Sequence, residues 1–99
     1  MANGVIVPSK IDTGWKVINE NLFYRRINSI VYVSITGVAT TSSWAQVGTL
    51  PSDCLPSKFM YQCVYASGAN TANVFINSTG QVQYLGYGGI NALVSFPIG

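Results

Sequence analysis

Strand-forming residues dominate this chain, and clusters of Gly, Pro, Asn and Ser cut them apart roughly every eight to twelve residues. Helix signals are nearly absent. The clearest segment is Ile30–Thr36, which alternates: Val31, Val33 and Ile35 share one face, and Ile30, Tyr32, Ser34 and Thr36 share the other. Shorter segments at Trp15–Ile18 and Leu22–Ile27 precede it, separated by the turn residues Asn19-Glu20-Asn21 and Asn28-Ser29. After Gly37 the Thr/Ser run 40–43 reads as a loop or weak edge, and Trp44–Leu50 as a short strand. Pro51 and Pro56 bracket an irregular loop, because proline cannot donate to a ladder. Lys58–Ala66 follows, with Phe59, Tyr61, Cys63 and Tyr65 on one side and Met60, Gln62 and Val64 on the other. The segments 73–76 and 81–85 flank Asn77-Ser78-Thr79-Gly80, a glycine-ended connection that marks a hairpin. Leu93–Pro97 closes the set. The pattern predicts an all-β fold, a small antiparallel β-barrel or sandwich of about seven or eight short strands. Residues 1–13 carry little periodicity and contain Pro8, so they read as an extended lead-in or neck remnant to a single domain over 14–99.

Charge is scarce. The chain has five Lys and Arg, three Asp and Glu, and no His among 99 residues, so charged residues make up 8%. A typical soluble domain is about a quarter charged. The missing histidine excludes Ser-His-Asp and Cys-His catalysis as usually built, and common zinc sites need more Cys and His than are present. Glycosidic cleavage needs two facing carboxylates. Asp12, Glu20 and Asp53 sit in the lead-in, in a turn and between prolines, which reads as three solvated loop carboxylates. Gly86-Tyr87-Gly88-Gly89 precedes no helix, so it is no phosphate cradle. No catalytic residue, metal ligand or cofactor is expected.

A net charge of +2, scattered along the chain, is too weak for a nucleic-acid footprint. No apolar run approaches the roughly 18 residues of a membrane helix, and the first residues lack the pattern of a signal peptide. The expectation is synthesis in a cytoplasm without membrane insertion. Cys54 and Cys63 read as two reduced thiols, with Cys63 packed in a strand. Asn77-Ser78-Thr79 has the form of a glycosylation sequon and reads as turn chemistry.

The chain does offer aromatics among amides and hydroxyls. Sugars are recognised by ring faces against C–H surfaces and by short polar groups bonding the hydroxyls. Asn73, Phe75, Asn77, Gln83, Tyr84 and Tyr87 lie close together around the hairpin. Tyr84 shares a face with Val82, which favours packing, whereas Asn73 and Phe75 lie opposite Val74 and Ile76 and face water, a ligand or another subunit. Trp15 and Trp44 read as core anchors, and Arg25-Arg26 as a solvated pair.

Several segments together resemble a known family. They are Trp44-Ala-Gln-Val-Gly-Thr-Leu-Pro51, Cys54-Leu-Pro56, Phe75-Ile-Asn-Ser-Thr-Gly-Gln-Val-Gln-Tyr84 and the closing Val94-Ser-Phe-Pro-Ile98. The sequence is similar to the head domain of receptor-binding proteins from tailed phages of Gram-positive bacteria, the lactococcal type especially. Val5-Ile-Val-Pro8 through Gly14-Trp15 resembles that family's neck-to-head junction. The resemblance implies a non-catalytic homotrimer at a phage tail tip or baseplate, assembled in the host cytoplasm and carried in the virion. Its partners would be other tail or baseplate proteins and the host cell-surface polysaccharide. Anchored on the Ser-Thr-Gly turn, it places Asn73 at a polar sugar-ligand position and Tyr84 where a Trp is common. Phe75 stands where an Asp ligand would be expected. The saccharide-binding set expected on these grounds is Asn73, Phe75, Gln83 and Tyr84. A structural tail or baseplate protein making only protein contacts is the alternative.

Overall fold

A computed structural model describes residues 11–66, 68 and 70–98. Among the described residues are eight strands: β1 (Lys16–Asn19), β2 (Leu22–Ile27), β3 (Ile30–Thr36), β4 (Thr41–Thr49), β5 (Met60–Ala66), β6 (Asn70–Ile76), β7 (Gln81–Gly86) and β8 (Asn91–Pro97). They form two four-stranded antiparallel sheets, ordered β1-β2-β3-β8 and β4-β7-β6-β5. Of the two expected all-β architectures the structure takes the sandwich. Hairpins make β1-β2-β3 and β5-β6-β7. The chain crosses between sheets after β3 and again after β7, and the long connection 50–59 lets β4 lie beside β7, in the manner of a Greek key.

Alternation builds the core. Val31, Val33 and Ile35 of β3 have no exposed surface, and Ala92, Val94 and Phe96 lie beside them on β8. The second sheet answers with Ala72, Val74 and Ile76 of β6 and Val82 and Tyr84 of β7. Each fully buried Val or Ile contributes about 1.5–3 kcal/mol. Strand β2 supplies little: of its six residues only Leu22 is fully buried. Arg26 lies on the row of Val31 but reaches out of the open end, where its guanidinium donates to the carbonyls of Asn28 (2.8 Å) and Asp53 (3.2 Å). Arg25, on the outer face, forms a bidentate pair with Asp12 at 3.0 and 2.8 Å. The two arginines thus have separate structural partners.

Part of the expected lead-in belongs to the sandwich. The Thr13 amide donates to the Arg26 carbonyl and the Asn28 amide to the Ile11 carbonyl, which lays Ile11–Thr13 along β2. Residues 1–10 of the expected lead-in lie outside the described residues. Two sharp turns set the register. Asn28 takes a φ of 53°, as a two-residue hairpin requires. At the second, the Asn77 side-chain oxygen accepts from the Thr79 amide, the Thr79 hydroxyl and the Gln81 amide, while its amide nitrogen donates to the Gln81 side chain. Asn77 is therefore a turn residue here, as its sequence context suggested.

Gly86 ends β7 with a φ of 125°, and a Cβ there would stand 2.9 Å from both the Ala72 Cα and the Thr71 carbonyl. Neither backbone atom can move without disturbing the β6–β7 ladder. Gly86→Ala is expected to cost at least about 1–3 kcal/mol. A lower urea midpoint with an unchanged slope is the reading that checks it.

Candidate functional site

The outer face of the second sheet follows from what its inner face buries. With Val74 and Ile76 inward, Asn73 and Phe75 point outward, and with Val82 and Tyr84 inward, Gln83 points outward. Strand register then sets Gln46, Gln83, Phe75 and Tyr61 in one row across four strands. A second row carries Leu85, Asn73 and Cys63. No charged residue falls on either row.

Four rings gather on this face. Tyr61 and Phe75, direct cross-strand partners, stack with centroids 4.6 Å apart and planes at 27°. Trp44 sits 6.0 Å from Tyr61 and 5.9 Å from Phe75, and Phe59 sits 5.9 Å and 6.0 Å from the same two. The stacked pair is the shared centre of the cluster, and Trp44 and Phe59 each contact both of its rings. The stacked pair uses a face of each ring on its partner. Trp44 and Phe59 are tilted against the pair by 57° to 81°. Trp44 is 42% exposed, and Phe59 and Tyr61 are each 63% exposed. Ring contacts of this kind add about 0.5–1.5 kcal/mol per pair, so the cluster is ordered although it is wet.

Three of the four expected saccharide ligands share this face, and one does not. Asn73 is exposed, and Phe75 and Gln83 are half-buried and paired in register. Tyr84 is a correction: it points into the sandwich, is 5% exposed, and burial pushes its phenol pKa up. It cannot act beside Gln83, because neighbours along a strand face opposite ways. It lines, with Asn21 and Val47, an open cleft of about 340 Å³ away from the outer face. Trp44 and Trp15 are not core anchors; they are 42% and 49% exposed. The residues that sequence reasoning left out of the site are Trp44, Phe59 and Tyr61. The alternation of Phe59 and Tyr61 was visible. What was missing was the register that sets Tyr61 opposite Phe75.

The two thiols differ sharply. Cys63 is exposed on the outer face rather than packed, while Cys54, in the 50–59 loop, is fully buried. Burial, and then the Asp53 carboxylate beside it, pushes the Cys54 pKa up to about 11. The three carboxylates stay solvent-exposed, with Asp12 engaged by Arg25. Comparison with protein-family models, with curated proteins and with solved structures returns no match for this chain.

The thiol contrast is testable. In mildly alkaline buffer the folded protein should react with one equivalent of an aromatic disulfide reagent, at Cys63, and with a second only after denaturation. The raised Cys54 pKa also carries a pH dependence. Its contribution to stability is complete below the ordinary thiol value of 9.0 and is lost as the pH rises through about 11. Denaturation midpoints across that window should fall, and Cys54→Ala should flatten the fall.

Proposed function

We propose that this chain is the head of a phage receptor-binding protein, a non-catalytic trimer at the tail tip or baseplate of the virion that recognises host cell-wall saccharide. The observation that carries this reading is the exposed, uncharged aromatic face of the second sheet. The exposed rings of Trp44 and Phe59 would pack on sugar C–H surfaces, and Gln46, Gln83 and Asn73 would supply amides for hydroxyls alongside them. The resemblance of the Trp44–Pro51, Phe75–Tyr84 and Val94–Ile98 segments to phage heads supports the same role. Weak binding at one head is compensated by several heads engaging one surface, which multiplies avidity without new contacts.

A structural tail or baseplate protein is the second reading, and one observation favours it. Tyr61 and Phe75 spend ring faces on each other, and large aromatics on a charge-free patch are also how protein interfaces are built. The two readings separate on a panel of bacterial glycans combined with adsorption blocking on susceptible cells. Recognition predicts saccharide binding and blocked adsorption. It also predicts that Trp44→Ala and Phe59→Ala each weaken binding by about tenfold or more while the fold is retained. If no saccharide binds and adsorption is unaffected, while the same variants disrupt assembly, the structural reading replaces it.

A further inference from the structure

The four outer edges of the two sheets are not alike. Strand β1 is four residues long, carries Lys16 and shifts register between Val17 and Asn19. Strand β4 shifts register twice. Short length, charge and bulges are the usual devices that keep an edge from pairing with another chain. Strands β5 and β8 have none of them. Each pairs with its neighbour over seven residues without a shift, neither carries a charge, and the one proline is the last residue of β8. The guarded edges lie together on one side of the sandwich, where the Asn19 side chain donates to the Val47 carbonyl. The unguarded edges lie together on the other.

Between β5 and β8 the sandwich gapes. Isolated bridges at Pro56–Ile98 and Ala66–Ile90 pin the two strands at their ends. The stretch between the pins borders an open groove of about 510 Å³, lined by residues 62–65 on one wall and 89 and 91–93 on the other. Large apolar side chains stand exposed around it, Tyr65 at 69% and Leu93 at 59%. The described charges gather elsewhere, on residues 12–26 and at Asp53 beside Arg26, with Lys58 ahead of β5 the exception.

We propose that this side is where copies of the chain join, β5 of one copy pairing with β8 of the next around a threefold axis. The inference rests on the trimeric assembly in the reading above and names its surface. Strand direction supports it. Both bridges are antiparallel, so β5 and β8 of one copy run in opposite senses. A threefold axis along the strands preserves those senses, so β5 meets the neighbouring β8 as an antiparallel pair, the more stable arrangement. The side spans residues 56–66 and 87–98, within the roughly 20–30 residues of a standard interface. Pairing near the strand centres with outward side chains matched sets Cys63 beside Leu93 or Ser95 of the neighbouring copy, the outward residues on either side of the β8 centre. It also joins the outer face of one copy's second sheet to the outer face of the next copy's first sheet.

Cys63 makes the arrangement measurable. Asn91→Cys, Leu93→Cys and Ser95→Cys each add one exposed thiol on β8, and buried Cys54 stays out of the reaction. Under mild oxidation and non-reducing electrophoresis, at least one variant should give covalent dimers and trimers that disappear with Cys63→Ser. The unaltered protein should give none, and light scattering should show a trimer. Cross-links confined within one chain, or a trimer without cross-links in any variant, would overturn this surface and leave the trimer standing. A covalent dimer of the unaltered protein would replace it with a twofold β5–β5 pairing. A monomer by light scattering would remove the surface and the assembly together, whatever the glycan panel shows.

Discussion

Everything in this sandwich depends on pleat parity, the rule that neighbouring side chains along a strand face opposite ways. Burying Val31, Val33 and Ile35 against Val74, Ile76 and Val82 commits each strand to one orientation. A one-residue slip would move these side chains into water and forfeit several times the roughly 1.5–3 kcal/mol that each one contributes. The outer face is therefore not independently specified. Phe75 is outside because Val74 and Ile76 are inside, and the register of β5 on β6 then brings Tyr61 to it. The aromatic cluster follows from the core, and this is why four partly wet rings can hold mutual centroid distances of 4.6 to 6.0 Å.

The 50–59 loop completes the site from the end of the sandwich. The Leu50 amide donates to the Gly80 carbonyl at 2.8 Å, which docks the loop on the turn organised by Asn77. The Cys54 amide donates to the Pro51 carbonyl, Leu50 and Cys54 enter the core, and Arg26 holds the Asp53 carbonyl from below. A loop anchored at these points delivers Phe59 to the corner of the ring cluster just before β5 begins. The 77–80 turn, two prolines and one arginine thus position a side chain that none of them touches in the described contacts.

How much of this was legible in the sequence varies with how local the cause is. The spans of β2 and β3, the faces of β3 and the 77–80 turn are written in alternation and turn chemistry within a few residues, and the structure has them where the sequence put them. Strand β4 begins at Thr41, inside the Thr/Ser run that read as a loop or weak edge; it is an irregular edge strand, and pairing with β7 outweighs the poor local signal. Tyr84 is a different case. Its alternation with Val82 pointed inward, and the resemblance to a family that carries a ring ligand there pointed outward; burial follows the alternation. Trp44 was illegible for a different reason. A tryptophan in a strand is a core residue by default, and only the register of β4 on β7, with Ala45 opposite the inward Tyr84, puts Trp44 on the outer face.

Scarcity of charge has a spatial form that composition alone does not reveal. Most of the described charges fall on residues 12–26, where Asp12 engages Arg25 and Lys16 guards a short edge, and only Asp53 and Lys58 lie beyond them. The opposite side and the outer face of the second sheet are left almost without charge. An isolated chain would gain solubility from charges at those places, and two unguarded seven-residue edges would gain protection against unwanted pairing. Their absence makes sense if both surfaces are occupied in use, the edges by neighbouring copies and the ring cluster by a ligand whose recognition requires neutrality. The same argument orders the two surfaces. Backbone pairing along an edge is insensitive to side-chain identity and suits a permanent contact, whereas tilted aromatic faces beside short amides suit a ligand that comes and goes.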